Sequence, residues 1–551
     1  MTKAPFGASM LASFGAAAVV AVVAYQASRT VDIAYRAPDP FFVVPALAAL
    51  VVMGSRVGVW TWGWWLWGAA TLFWSLAPGN THVASLWELT YLAAFAAAWW
   101  RPLAWAVVAV LGGNALIDML SLNAFGLEQY ISGSVHYVGG AMLLALVPLA
   151  LAGALRATRL WQVAAWTVPA GLALYGAVAS GARAVYLPLA LVAVVAVVRA
   201  LAERVPFRNV AITVLGAAVV VVCLEAVQPW RPLATALNQK ATLESQVDAT
   251  GDHGSFRQRL RYWDQTLDIA LANPLGAGNG SYEAVIHSYQ KYPMAWSNSP
   301  HNYYVETLAN GGWPRLALLL GMLVLPLWRA WRSRQWQWAL AAAGVWLTLA
   351  FDVTSYYPSF MMFAFLTLGA TYHSGAPDGR LGQGGVRLRA LVPWVCVAVG
   401  AALAAWWFLP CEGQRCFIDR YHGAEYLADE YLDGSDPAQA ESVIVALRRL
   451  YPQSLWVLRL EQQGATDPQE RLRLAREIAT RFPYQSPFNY LEWAEAALAV
   501  GDRDEAGRAI RAGREVFAEG EYPYGEFRMT RDLYQQWIDA SDAILRGDVT
   551  D

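Results

Sequence analysis

The chain has 551 residues, of which 57% are hydrophobic and 15% charged, with a formal net charge of −2. Charge this sparse leaves one large soluble domain without enough solvating surface, and the apolar content excludes a disordered or fibrous chain. The two ends also differ: residues 1–409 hold 24 Lys+Arg and 16 Asp+Glu, while 410–551 hold 16 Arg and 26 Asp+Glu. The expected fold class is therefore all-α, a polytopic helical membrane domain over 1–409 followed by a soluble helical domain over 410–551.

A span needs about 20 mostly apolar residues. Segments of that character lie near 7–27, 41–54, 57–76, 83–100, 102–120, 137–155, 160–179, 184–200, 210–228, 303–328, 337–353, 357–373 and 390–409. Alternate connections collect arginine: Arg56, Arg101, Arg156 with Arg159, Arg199 with Arg204 and Arg208, then Arg329, Arg332 and Arg334, and last Arg380, Arg387 and Arg389. By the positive-inside rule these face the cytoplasm. Thirteen spans with a cytoplasmic N-terminus follow. They put the turn 180–183, the long loop 229–300 and the C-terminal domain outside a bacterial inner membrane, in the periplasm.

Within the third segment Trp60, Trp62, Trp64, Trp65, Trp67 and Trp74 crowd together, as expected of interfacial or lipid-facing packing. Ser180-Gly181-Ala182-Arg183 joins two apolar spans on the outer side. An arginine there either snorkels to the interface or faces a cavity. Cys223 and Cys396 fall inside spans and read as small buried apolar residues.

The loop 229–300 carries Arg257-Gln-Arg259-Leu-Arg261-Tyr-Trp263 on an amphipathic stretch running to Ala272. On a helix Arg259 and Trp263 share one face and Arg257 and Arg261 another. These arginines suit solvent, lipid headgroups or a diphosphate equally well. Asn273-Pro-Leu-Gly-Ala-Gly-Asn-Gly280 follows. With no strand before it, this is a helix-terminating turn and not a dinucleotide fingerprint. Then Ser299-Pro300-His301-Asn302 opens a long apolar helix. Ser299 suits the N-cap and Pro300 the first helical position, which places His301 in the first turn. The positive helix end would keep it neutral near pH 7 and able to accept a proton, and would also attract phosphate.

Cys411 and Cys416 lie just past the last span, where a disulfide is preferred over half of a zinc site. In the C-terminal domain, helical periodicity covers 436–451, 467–482 and 487–518. The stretch from Trp493 and Ala494 to Gly501, Ala506 and Ile510 resembles a tetratricopeptide repeat, a helical hairpin that can hold a protein partner. The seven histidines show no metal-ligand spacing, and no DxD element lies near the membrane domain. No metal and no cofactor is expected. No basic run with interleaved aromatics points to nucleic acid.

The Ser-Gly-x-Arg turn, the Arg-Leu-x-x-Trp helix, the Asn-Pro-Leu-Gly-x-Gly turn and the His-Asn helix start occur in that order over roughly 175–370. Together they resemble the superfamily of O-antigen ligases, O-antigen polymerases and O-oligosaccharyltransferases, bacterial membrane glycosyltransferases. The resemblance implies metal-independent, inverting transfer of a glycan from undecaprenyl diphosphate to an acceptor hydroxyl. His301 would be the catalytic base, Arg183 and Arg259 would hold the donor diphosphate, and Asn302, Glu306, Arg257 and Arg261 would support them. Two guanidiniums supply the charge stabilisation that a lipid diphosphate leaving group needs. The family commonly carries an acidic residue just before a glycine after the His-Asn start. Here Asn310 stands there, and Glu306 is the nearer carboxylate. The acceptor would be lipid A–core sugar, a growing glycan or a protein hydroxyl, with ligase the preferred reading. A lipid-linked glycan transporter predicts a cavity reaching both leaflets, and a repeat-domain scaffold leaves the arginine and histidine motifs unexplained.

Overall fold

The computed structural model describes residues 40–125, 134–180, 182–227, 254–333, 335–351, 357–374, 386–408, 451–517 and 531–547, with isolated positions at 355, 444, 445 and 447–449. Every regular element among these residues is helical. In chain order the membrane part comprises α1 (Pro40–Met53), α2 (Val59–Ala70), α3 (Pro78–Ala97), α4 (Arg101–Phe125), α5 (Ser134–Arg156), α6 (Leu160–Ala179), α7 (Arg183–Ala202) and α8 (Phe207–Val227). After α9 (Gly254–Ala272) and the single turn α10 (Tyr282–Val285), the membrane part resumes with α11 (Tyr303–Arg332), α12 (Trp336–Thr348), α13 (Pro358–Ser374) and α14 (Val386–Phe408). Each apolar segment from 41 onward coincides with one of these helices, whereas the 7–27 segment lies outside the described residues.

Among the described residues, five helices are long and apolar enough to cross a membrane: those at 138–156, 160–179, 184–202, 207–227 and 303–332. On α8, Val214, Leu215, Val219 and Val222 are exposed, an apolar face that water would not tolerate and lipid does. Cys223 shares that exposure, so the expectation of a buried thiol holds for Cys396 alone. The reason is position, because among the described residues α8 packs chiefly on α6 and α5, and much of its surface is exposed. Helices α6 and α8 approach closely where Gly171 meets Val220 and Gly216 meets Thr167. Small residues at a crossing are how apolar helices associate when burial from lipid gains nothing.

The tryptophans of the third segment depart from expectation. Trp62, Trp64 and Trp65 are fully buried, and only Trp60 and Trp74 are exposed. Most of these indoles find a carbonyl: Trp62 donates to Gly54, Trp65 to Ser85, Trp67 to Gly311 and Trp74 to Gly276, at 2.7–3.2 Å. They pin α2 against α3, α11 and the glycine-rich turn. An aromatic with a satisfied N–H is as good a core residue as an interfacial one.

The C-terminal helices are α15 (Leu455–Gly464), α16 (Pro468–Arg481), α17 (Phe488–Ala499), α18 (Arg503–Val516) and α19 (Arg531–Arg546). Asp467 caps α16 through the Gln469 amide, with Pro468 in the first turn. The helical stretch expected over 487–518 is a hairpin of two helices. Gly501, at φ +80, ends the first, and Asp502 caps the second by accepting from the Glu505 N–H at 2.8 Å. The resulting hairpin interleaves Ala494, Ala497, Ala506 and Ala509 beneath Trp493 and Trp537. Cys411 and Cys416 lie outside the described residues.

Candidate active site

Helix α9 is amphipathic, and one side of it holds a strap formed by residues 290–302. Gln265 donates to the Ala295 carbonyl and accepts from the Lys291 amide, both at 2.8 Å. Tyr292 donates to Asp264 at 2.8 Å, and Lys291 pairs with Asp264 and Asp268. Trp263 donates from Nε1 to the Pro300 carbonyl at 2.8 Å. Arg259, one turn earlier, donates to the Phe351 carbonyl. The guanidinium of Arg261 sits over the Tyr292 ring, 5.4 Å from its centroid. Arg259 and Trp263 thus do share a face and Arg261 leaves it, as the helical spacing predicts.

His301 ends the strap. Its backbone is left-handed at φ +55, and its amide donates to Ser299 Oγ at 3.2 Å. It does not stand in the first turn of α11. Asn302 is the N-cap, accepting on Oδ1 from Tyr304 N at 3.0 Å and Val305 N at 3.2 Å. The expected Ser299 cap loses because Asn302 satisfies two orphan amides at once, which frees Ser299 Oγ to donate to Glu306 at 3.4 Å. Tyr262 stacks on the imidazole with centroids 6.0 Å apart. The ring's Nε2 lies 3.5 Å from Ser297 Oγ, and its Nδ1 is buried with no hydrogen-bond partner.

Burial pushes the His301 pKa down to about 4, helped by the nearby Arg259 charge. The imidazole is therefore neutral at pH 7, as expected, but desolvation and Arg259 hold it there and not a first-turn position in the helix field. A non-glycine residue at positive φ persists only where its surroundings hold it, and such strain gathers at functional sites. Arg183 is the first residue of α7. What its side chain and that of Arg257 reach lies outside the described residues.

Around the start of α11 the glycine-rich turn docks. Gly276 and Gly278 adopt φ +99 and +123, and the Ala277 and Gly278 amides donate to the Ala309 and Asn310 carbonyls at 2.9 and 3.0 Å. Asn310 Oδ1 accepts from the Tyr282 amide at 2.9 Å. Where the family pattern has a carboxylate, this chain thus has a residue that ties the turn to the helix. At Gly312 the helix kinks, with φ +69 and ψ −174, and a Cβ there would collide with the Pro274 carbonyl. The 303–328 segment is accordingly one helix broken by a kink, for which Gly311-Gly312 and Pro314 are the cause.

Past the kink lies Arg315, a residue missed by the sequence reading. It is 2% exposed, paired with Glu88, bonded to Asn279 Oδ1, and set 4.6 Å from the Trp64 ring centroid. A lone arginine inside an apolar helix was the available signal. Glu88 and Arg315 help to line a cavity of about 130 Å³ that also contains Glu306, Glu283 and Tyr303. His301 and Arg259 do not line it, and Glu306 links the two places through Ser299. Among the described residues no group of three or more His, Cys, Asp or Glu is arranged to hold a metal ion.

The described residues thus form a bundle of apolar helices, several of span length, with a buried histidine beside an arginine at the start of one of them. The family model described as O-Antigen ligase matches residues 168–320, from the middle of α6 to the middle of α11. Over that stretch the chain is similar to the O-antigen ligase superfamily, the ligase and polymerase type of membrane glycosyltransferase. Arg183, Arg259, the glycine turn, His301 and Arg315 all fall inside the matched region, and the C-terminal helices fall outside it. No curated protein and no solved structure matches the chain.

Proposed function

We propose that this protein transfers a glycan from undecaprenyl diphosphate to an acceptor hydroxyl at the periplasmic face of a bacterial inner membrane, in the manner of an O-antigen ligase and without a metal. The observation that carries the reading is the neutral, buried His301 fixed beside Arg259 by the Trp263–Pro300 bond. The acceptor hydroxyl gives its proton to the imidazole as its oxygen attacks the anomeric carbon from the face opposite the diphosphate. The glycosyl C–O bond to phosphate breaks with inversion, and undecaprenyl diphosphate leaves with the electron pair. Arg259 and Arg183 take up the charge on the departing oxygens. A base with a pKa near 4 is weak, so the transition state must lean on leaving-group stabilisation, which two guanidiniums provide.

A second reading, transfer to a protein hydroxyl, draws on the C-terminal helices. The Tyr484 carbonyl accepts from Met294 N and Gln290 Nε2, both at 2.7 Å, and Met294 packs in the apolar cluster of Trp493 and Tyr490. The strap that ends at His301 is therefore also held by the helical domain, where a protein acceptor would dock. Growing-glycan polymerisation uses the same chemistry with a sugar acceptor.

Purified protein incubated with an undecaprenyl-diphosphate glycan, EDTA and each acceptor class in turn tests this, with mass spectrometry of the products. The expected outcome is chelator-insensitive transfer to one class. No transfer to any class, or transfer abolished by EDTA, would overturn it.

A further inference from the structure

The cavity next to Glu306 is not accounted for by a diphosphate site. Its polar walls include Glu88, Glu283, Glu306, Asn279 and Arg315, with Trp87 among the aromatics. Three carboxylates face one guanidinium, and that guanidinium is already committed to Glu88 and Asn279. Such a lining offers phosphate no uncommitted guanidinium and wastes itself on a lipid tail. It suits a neutral ligand rich in hydroxyls, because carboxylates accept from hydroxyls, amides both donate and accept, and an indole gives the apolar face of a sugar ring a surface. One water requires roughly 10–15 Å³ on the measure that gives about 130 Å³ here, so the space holds roughly ten water-sized positions, about one pyranose ring.

We infer that this cavity binds one sugar ring of the acceptor glycan. The inference rests on the glycosyl-transfer reading above and narrows it, since a serine or threonine acceptor has no use for a ring-sized polar cavity. The donor's ring carries the diphosphate on its own anomeric carbon, and the one guanidinium here is already engaged by Glu88 and Asn279. The acceptor's ring carries no such charge. The placement agrees: Glu306 lines the cavity and accepts from Ser299, and Ser299 accepts from the His301 amide, so a ring in the cavity lies one side chain away from the strap that presents the base. The acceptor ring is thereby held by Glu283, Glu306 and Trp87, and the hydroxyl that reacts at His301 belongs to the part of the acceptor that extends past Ser299, outside the cavity.

Saturation-transfer NMR on the full-length protein in nanodiscs tests this without turnover, using methyl glucoside, methyl galactoside and methyl N-acetylglucosaminide at millimolar concentration. Inorganic pyrophosphate and a serine-containing peptide serve as separate probes. At least one glycoside should bind, the peptide should not compete with it, and Glu283→Gln and Trp87→Leu should each weaken it at least tenfold. Both variants should leave pyrophosphate binding intact, and both should raise the acceptor KM in a transfer assay more than they lower kcat. Thermal melting identifies a variant that has merely unfolded, and the other then decides. No glycoside binding, or binding that neither folded variant weakens, overturns the cavity while leaving glycosyl transfer standing. Glycoside binding in a protein that transfers to no acceptor overturns the transfer reading instead.

Discussion

Trp263 donates its indole N–H to the carbonyl of Pro300, 37 residues further along, at 2.8 Å. This bond fastens the residue before His301 to the helix that bears Arg259. His301 and Arg259 come from different elements, and the indole ties the two elements together.

Trp263→Phe keeps the apolar ring and removes that donor. A net side-chain hydrogen bond is worth about 1 kcal/mol, which as a loss of positioning is about a fivefold decrease in turnover. Pyrophosphate affinity should be unchanged, because Arg259 keeps its own contact with the Phe351 carbonyl. Steady-state transfer together with pyrophosphate titration checks this.

The acidity of His301 predicts a displaced pH profile. Its pKa is lowered to about 4, so the base form persists as pH falls through 6.5, where an ordinary histidine would be half protonated. Activity at limiting substrate should therefore hold between pH 8 and 5.5 and fall only as pH nears 4. An acid limb centred near 6.5 in the kcat/KM profile would show that burial and Arg259 do not act on the imidazole as described.

The buried pair of Glu88 and Arg315 makes a stability prediction. Glu88→Gln removes the carboxylate that pairs with the buried guanidinium, and breaking a buried pair from one side costs about 3–5 kcal/mol. The combined change Glu88→Leu with Arg315→Met removes both charges and should cost less than Glu88→Gln alone. Thermal melting of the detergent-solubilised protein measures both.

Gly312→Ala should destabilise the protein by at least about 2 kcal/mol, since its φ and ψ lie in a region essentially reserved for glycine and the Pro274 carbonyl occupies the Cβ position. Gly501→Asn is the control. It also has positive φ but open space around it, and asparagine tolerates that conformation, so the change in melting temperature should be small.

The helices were legible because an apolar run of span length has few other folded forms. The pairing of Arg259 with Trp263 was legible because helical spacing alone fixes which residues share a face. The start of α11 was misjudged because Ser299 and Asn302 are both good caps, and only tertiary contacts decide between them: Glu306 takes the serine hydroxyl. The buried tryptophans were hidden because composition does not show where a carbonyl waits for an indole N–H. Arg315 was hidden for a related reason. A hydropathy window averages one charge away, and its explanation, Glu88, lies 227 residues distant.

The central claim, that His301 is the base and Arg259 a donor ligand, is tested most directly by single-turnover transfer with His301→Ala, read beside its pyrophosphate affinity and with EDTA present. A positioned base contributes roughly 10²–10⁴-fold, so turnover should fall by that factor while pyrophosphate binding stays at the wild-type value. Arg259→Ala should do the reverse to binding, weakening pyrophosphate. Near-normal transfer by His301→Ala, or wild-type activity that disappears when divalent metal is chelated, would contradict the account.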